Sequence, residues 1–210
     1  MAPIYGVIIA YLAGSIPSAY IAGKLRGVDL RHHGSGNLGA TNVVRVLGPK
    51  TGAVVFLADF LKGFLPVYFL PMYTETLRPG LWALVYGAAA ILGHVKPIFL
   101  LGKGGGKGVA TAGGVFMALA PVPVLITQVV WVLVFYFTRY VSLASLIGAA
   151  VLPIAMLAWY RDPRSPVFVA SVVIAVFVFW THRANIGRLR RGEEHRFVKK
   201  ESGLKKESVS

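Results

Sequence analysis

The stretch VATAGGVFMALAPVPVLITQVVWVLVFYFT, Val109–Thr138, decides how often this chain crosses a bilayer. As one helix kinked at Pro121 and Pro123 it is a single crossing. As Val109–Leu119 followed by Val122–Thr138 it is two. At about 1.5 Å of rise per residue the shorter piece falls well below the ~30 Å hydrocarbon core. Length alone therefore leaves the choice open, including a preceding glycine loop that dips into the membrane.

The other apolar runs, Ile4–Gly23, Thr51–Tyr73, Leu81–Val95, Ser142–Tyr160 and Val167–Thr181, approach the ~20 residues expected of membrane spans. Lys and Arg collect in cytoplasmic loops, and this asymmetry decides the count. With seven spans, one side holds Lys24, Arg26, Arg31, Arg45, Lys50, Lys96, Lys103, Lys107, Arg139 and the basic tail, while the other holds Arg78, Arg161 and Arg164. Six spans would separate the tail from the basic loops. The expectation is an all-α integral membrane protein with seven transmembrane helices, its N-terminus outside and its C-terminus cytoplasmic. Lys24, the first cation, lies past the first apolar run, so that run reads as a retained helix, not a cleaved signal. Residues 1–182 form the membrane domain and 183–210 a basic cytoplasmic tail whose last residues, through Ser210, read as disordered.

Composition agrees. The chain has 210 residues, 56% hydrophobic and 14% charged, with a mean hydropathy of +0.66, against roughly 25% charged residues in soluble domains. There is no cysteine, which excludes a disulfide framework and a thiol nucleophile. Much of the +14 net charge lies in the tail, where Lys and Arg alternate with Glu. That pattern suits a topology signal and anionic headgroups. With neither a folded basic module nor aromatic platforms, nucleic acid is not an expected partner.

Two glycine-rich loops on the basic side carry the chemistry. The first reads Gly34-Ser35-Gly36-Asn37-Leu38-Gly39-Ala40-Thr41-Asn42 and ends at Arg45; the second reads Lys103-Gly104-Gly105-Gly106-Lys107-Gly108. Ser35 and Thr41 offer hydroxyls, Asn37 and Asn42 amides, and Arg45 a planar fork for phosphate oxygens. In the second loop, the N–H groups of Gly105, Gly106 and Gly108, with Lys107 and a helix start at Val109, make a second phosphate-holding set. A third polar group, His182-Arg183-Ala184-Asn185, ends the last span and is followed by Glu193 and Glu194. His182 and Asn185 fall one helical turn apart. A histidine there can serve as general base or phosphate ligand.

Other matches do not stand. Gly34–Gly39 fits GxGxxG, but Arg31, His32 and His33 occupy the place of the buried strand that a dinucleotide site needs. The second loop has Leu101 and Gly108 where a P-loop needs Gly and Ser or Thr. Asp59 and Lys62 share one face of the second span and read as an internal ion pair supporting the site. His94 reads as a hydrogen-bonded helix-end residue, and His32, His33 and His195 as solvated. No His, Asp and Glu spacing suggests a metal site, and no cofactor is expected.

The segments SGNLGATNVVR, GGKGVAT and HRANIGRL…GEE, with DFLKGF and RYVSLAS between them, resemble in order the signature regions of the bacterial acyl-phosphate:glycerol-3-phosphate acyltransferases. The resemblance covers nearly the whole chain. It implies a multi-pass enzyme of the bacterial inner membrane, its active site facing the cytoplasm, that moves a fatty acyl group from acyl-phosphate to the sn-1 hydroxyl of glycerol 3-phosphate. The products would be lysophosphatidate and inorganic phosphate, in phospholipid biosynthesis. The implied catalytic residues are Ser35, Arg45, Lys107, His182 and Asn185. Gly36, Asn37, Thr41, Asn42, Gly105, Gly106, Gly108 and Glu194 would bind substrate. The family's usual Lys-Gly-Gly-Lys is here Lys-Gly-Gly-Gly-Lys, which leaves Lys107 aligned and displaces Lys103. The expected partners are acyl-phosphate, glycerol 3-phosphate and membrane lipids. A transporter of a phosphorylated solute is the alternative; it would need polar access from both faces, and the outer loops are nearly bare.

Overall fold

The computed structural model describes residues 1–197, and ten α-helices lie among them. They are α1 (Pro3–Ser15), α2 (Ser18–Lys24), α3 (Ala40–Leu47), α4 (Pro49–Phe69), α5 (Pro79–Val95), α6 (Val109–Leu119), α7 (Pro121–Thr138), α8 (Val141–Tyr160), α9 (Pro166–Thr181) and α10 (Arg183–Arg190). Proline marks many of these boundaries. It opens α1, α4, α5, α7 and α9, where its fixed φ suits the first helical residue and its missing N–H leaves no bond unmade. The expected disorder near Ser210 lies outside the described residues.

Five segments are long and apolar enough to cross a membrane: Pro3–Lys24, Pro49–Tyr73, Pro79–Leu100, Pro121–Thr138 and Val141–Tyr160. A sixth counts if α9 and α10, bent by 60°, are taken as one. Their outward faces carry exposed Leu, Ile, Val, Phe and Trp side chains, the surface of a protein solvated by lipid. The first run is not the single helix expected. It breaks at Ile16–Pro17, because Pro17 offers no N–H for the helical ladder. At the break the Ile16 carbonyl accepts from the Ser18 N–H at 3.0 Å and from Nζ of Lys62 of α4 at 2.9 Å.

Val109–Thr138 is two helices, not one kinked helix; the backbone leaves helical geometry at Ala120, with φ −153°. At one end of the molecule, Ala118 and Leu119 border the same cleft as Met72 and Gly80. The Met1 amino group donates to the Tyr73 carbonyl there at 2.9 Å. At the other end, the Arg139 carbonyl just past α7 accepts from the Phe197 N–H at 3.0 Å. So α6 runs from the glycine-loop end to the opposite end, and α7 returns.

Small residues hold the bundle together. Gly14 of α1 lies on the Ala90 backbone of α5, and Gly93 of α5 lies on the Tyr11 carbonyl of α1. Gly63 of α4 lies on the Thr111 carbonyl of α6, and Gly114 of α6 on the Phe60 carbonyl of α4. In lipid, close backbone approach of this kind replaces the hydrophobic drive available in water. It also anchors α6, which is too short to be held by apolar length alone.

Gly114→Ala should therefore destabilise the detergent-solubilised protein by about 1–3 kcal/mol, since its methyl meets main chain that cannot yield. Gly113→Ala, next door, has only a Phe60 ring carbon at 3.9 Å and should leave the melting temperature unchanged. Thermal unfolding of the two variants side by side checks the contrast.

Candidate active site

The first glycine loop is shaped by Asn42, which the fold buries almost completely. Its Oδ1 accepts from the Ser35 N–H at 2.8 Å, and its Nδ2 donates to the carbonyls of His33 at 3.0 Å and Leu30 at 3.3 Å. Gly34 is left-handed at φ +63° with the Asn42 Oδ1 where a side chain would begin, so only glycine fits there. The Asn42 amide is spent on the loop's own backbone, leaving Ser35 exposed at the tip. Thr41 and Arg45 lie one turn apart on α3, each half-buried, and share a helix face. Asn37 is half-buried beside Gly39. Arg31 is tied to Asp29 at 2.6 Å and is not a free cation.

The second loop lies across the C-terminal end of α5. Gly105 abuts the carbonyls of Val95 and His94, and Gly106 is held between the His94 ring and the Leu38 carbonyl of the first loop. The two glycine loops therefore touch. Gly108 caps the N-terminus of α6, whose unpaired N–H groups give partial positive charge. Lys103 is exposed; Lys107 turns inward and its Nζ donates to Asn185 Oδ1.

The third segment turns at His182, where α9 bends into α10. The His182 Nδ1 lies 2.8 Å from the Val178 carbonyl. A carbonyl only accepts, so Nδ1 carries the proton, and Nε2 keeps its lone pair in the neutral ring. Past α10, the Gly192 N–H bonds the Leu189 carbonyl and the Glu193 N–H bonds the Arg188 carbonyl, with Gly192 left-handed at φ +70°. This glycine-closed helix end doubles the chain back and puts Glu194 against α10. Asn185 Nδ2 donates to Glu194 Oε1, and Arg188 Nε to Oε2, each at 2.7 Å.

Electrostatically these pieces are one unit. Burial pushes Lys107 down to about 8; Glu194 opposes the shift, while Arg188 and Arg45 add to it. Burial likewise lowers Arg45, against Glu194 and with Arg188. Burial opposes ionisation of Glu194, yet hydrogen bonds from Asn185 and Arg188 outweigh it and hold its carboxyl below the usual range. Arg188 thus pairs directly with the buried Glu194 carboxylate, Lys107 is joined to it through Asn185, and Arg45 lies near enough to respond to its charge. Three cations, a neutral imidazole and helix N–H groups at the meeting of two glycine loops can hold two phosphates side by side.

Arg188 and Ser142 escaped notice as site residues in the sequence. Arg188 read as one tail cation among many, although its spacing of three from Asn185 puts both on one face. Ser142 is buried at the start of α8, its hydroxyl without a hydrogen-bond partner among the described residues; in sequence only the RYVSLAS match pointed to it. His94 is buried at the end of α5, but its ring packs on Gly106 and Nδ1 has no hydrogen bond. His32, His33 and His195 are exposed as expected.

Comparison with known proteins identifies the family. The sequence model of the family described as glycerol-3-phosphate acyltransferase matches residues 4–192. The glycerol-3-phosphate acyltransferase of Aquifex aeolicus is 46% identical over 198 residues, covering 94% of this chain and 100% of that protein. That of Fusobacterium nucleatum is 45% identical, covering 91% and 96%. The crystal structure of PlsY (YgiH), an integral membrane glycerol 3-phosphate acyltransferase, in its glycerol 3-phosphate form, superposes with a TM-score of 0.84. The identity is 42%, over 93% of this chain and 96% of that one. Its lysophosphatidic acid form gives 0.80, again at 42% identity. The chain belongs to the glycerol-3-phosphate acyltransferase family.

Proposed function

We propose that this bacterial membrane acyltransferase takes its acyl group from acyl-phosphate and places it on the sn-1 hydroxyl of glycerol 3-phosphate. Lysophosphatidate and inorganic phosphate are released. The observation that carries this reading is the convergence of Arg45, Lys107 and Arg188 around Glu194 where the two glycine loops meet. Two phosphorylated substrates need that much positive charge, and acyl-phosphate needs no covalent activation because phosphate is already a good leaving group.

The hydroxyl oxygen attacks the acyl carbonyl carbon, and the carbon–oxygen bond to phosphate breaks with the electron pair leaving on phosphate. The proton goes to His182 Nε2 or to an oxygen of the departing phosphate. Arg45, Lys107 and the N–H groups of Gly105, Gly106 and Gly108 hold phosphate, with Ser35, Gly36, Asn37 and Thr41 bordering it from the first loop. Asn42 shapes that loop. Glu194 orients Asn185, which aims Lys107. Holding the hydroxyl against the carbonyl supplies most of the acceleration.

The membrane arrangement follows from the same ends. Seven crossings, with α6 and α7 as a hairpin, put the N-terminus outside and the glycine loops, α10 and the basic tail from residue 183 in the cytoplasm of the inner membrane. The support is the grouping of basic residues at the glycine-loop end and the placement of Leu119 beside Met72 at the other.

Phosphate release by purified protein given acyl-phosphate should depend on glycerol 3-phosphate and match lysophosphatidate formed. Turnover with acyl-thioesters alone would overturn the donor. Arg45→Ala and Lys107→Ala should each raise KM for a phosphate substrate by roughly 10–100-fold, the worth of a charged hydrogen bond; unchanged kinetics would remove that residue from the site.

Lys107, lowered to about 8, is charged below that pH and neutral above it, and bound phosphate favours the charged form. kcat/KM should therefore fall as pH rises through about 8, and Lys107→Arg should move that decline upward. Equal alkaline limbs in the two proteins would assign the decline elsewhere.

Ser35 reads as a ligand, not a nucleophile, since no histidine hydrogen-bonds its hydroxyl among the described residues. Intact-mass analysis after exposure to acyl-phosphate alone should find no acyl adduct; a stable acyl-serine at position 35 would sink direct attack.

A further inference from the structure

Among the described residues the mechanism above leaves the buried Asp59, Lys62 and His94 unused. Asp59 and Lys62 of α4 form an ion pair at 2.7 Å, 2% and 7% exposed. His94 at the end of α5 is 5% exposed, its Nδ1 3.7 Å from the same Asp59 oxygen. Ionisable groups this deep in a membrane bundle are costly and are retained for a task. Their surroundings show the task. They border a small cavity shared with Pro17 and Ser18 at the break between α1 and α2, with Leu38 of the first loop, and with Gly104, Gly105 and Gly106 of the second. Lys62 also anchors the Ile16 carbonyl.

His94 is the member that reaches the second loop. A side-chain carbon added at Gly106 would collide with its Nε2, and the Leu38 carbonyl closes the other side at 3.2 Å. Gly106 is thus clamped between the His94 ring and the first loop, and the next residue is Lys107. The Asp59 carboxylate lies 3.7 Å from Nδ1, on the far side of the ring from Nε2, which packs against the glycine.

We propose that His94, backed by the Asp59–Lys62 pair, is a positioning residue that sets the path of the Gly104–Gly106 loop and so aims Lys107 at phosphate. The inference rests on Lys107 being a phosphate ligand. His94 acts by where it holds the main chain at Gly106.

The test is a double-mutant cycle between His94 and Gly106, with Lys107→Ala as reference. It is made on full-length protein in detergent and restricted to variants that elute as monodisperse species. Gly106→Ala should lower kcat/KM by about 100-fold, as expected of a displaced ligand. His94→Ala should raise KM for glycerol 3-phosphate more than it lowers kcat, and His94→Gln, which keeps a polar atom near the Nε2 position, should recover most of the loss. Removing the ring makes room for the new methyl, so His94→Ala/Gly106→Ala should be less impaired than the product of the singles by about fivefold or more. A merely structural histidine would lower yield or melting temperature and leave the KM of folded enzyme unmoved. An unchanged KM in His94→Ala, or multiplicative single effects, overturns the proposal. A harmless Lys107→Ala would overturn the phosphate role of Lys107 and this inference with it. A severe Lys107→Ala beside independent His94 and Gly106 effects overturns this inference alone.

Discussion

Everything at the polar end of this molecule depends on one buried carboxylate. Arg45, Lys107 and Arg188 repel one another and are partly withdrawn from water, a combination that would scatter them outward if nothing opposed it. Glu194 opposes it. Its side chain is 3% exposed, and both oxygens are engaged, one by Asn185 and one by Arg188. Since the carboxylate takes the Asn185 amide hydrogens, the amide oxygen is left for Lys107. A single negative charge thus fixes the direction of Asn185 and Arg188 and offsets the mutual repulsion of the cations.

The carboxylate keeps that position because the backbone around it is tightly specified. The glycine-closed end of α10 returns Glu194 to the helix it has just left. On the other side, close glycine contacts between α4 and α6 set the point from which Lys107 is presented. The bundle is stiff where it must aim side chains. Its outer face is a plain apolar surface, where Phe, Leu and Val have only to match lipid.

Much of this was legible in the sequence, for reasons that can be named. Apolar length is a local signal, and the expected apolar runs coincide with helices whose ends differ by a residue or two, save the first run, which is broken at Pro17. The three donor-rich segments stood out because Ser, Thr, Asn and Gly crowd together there without an apolar face. The rest depends on contacts distant in sequence. Asn42 looked like one more donor until its amide was seen holding Leu30, His33 and Ser35. At the break before Pro17 the Ile16 carbonyl takes a second bond from Lys62, far along the chain. Glu194 lies in a string of tail charges and is singled out only by the family resemblance; the turn at Gly192 separates it from the exposed Glu193 beside it. His94 reads locally as a helix end satisfied by a hydrogen bond, because nothing local says that a glycine loop will lie across its ring.

The bond between Lys107 and Asn185 joins residues 78 positions apart, and it has a temporal meaning. The chain is made from the N-terminus onward, so both glycine loops are synthesised and can reach the membrane surface long before α10 exists. Until Glu194 has left the ribosome, the cations lack the charge that gathers them. The carboxylate that engages Asn185 and Arg188 is therefore added late, after both glycine loops have been made, and the polar cluster is assembled only once the turn past α10 has formed.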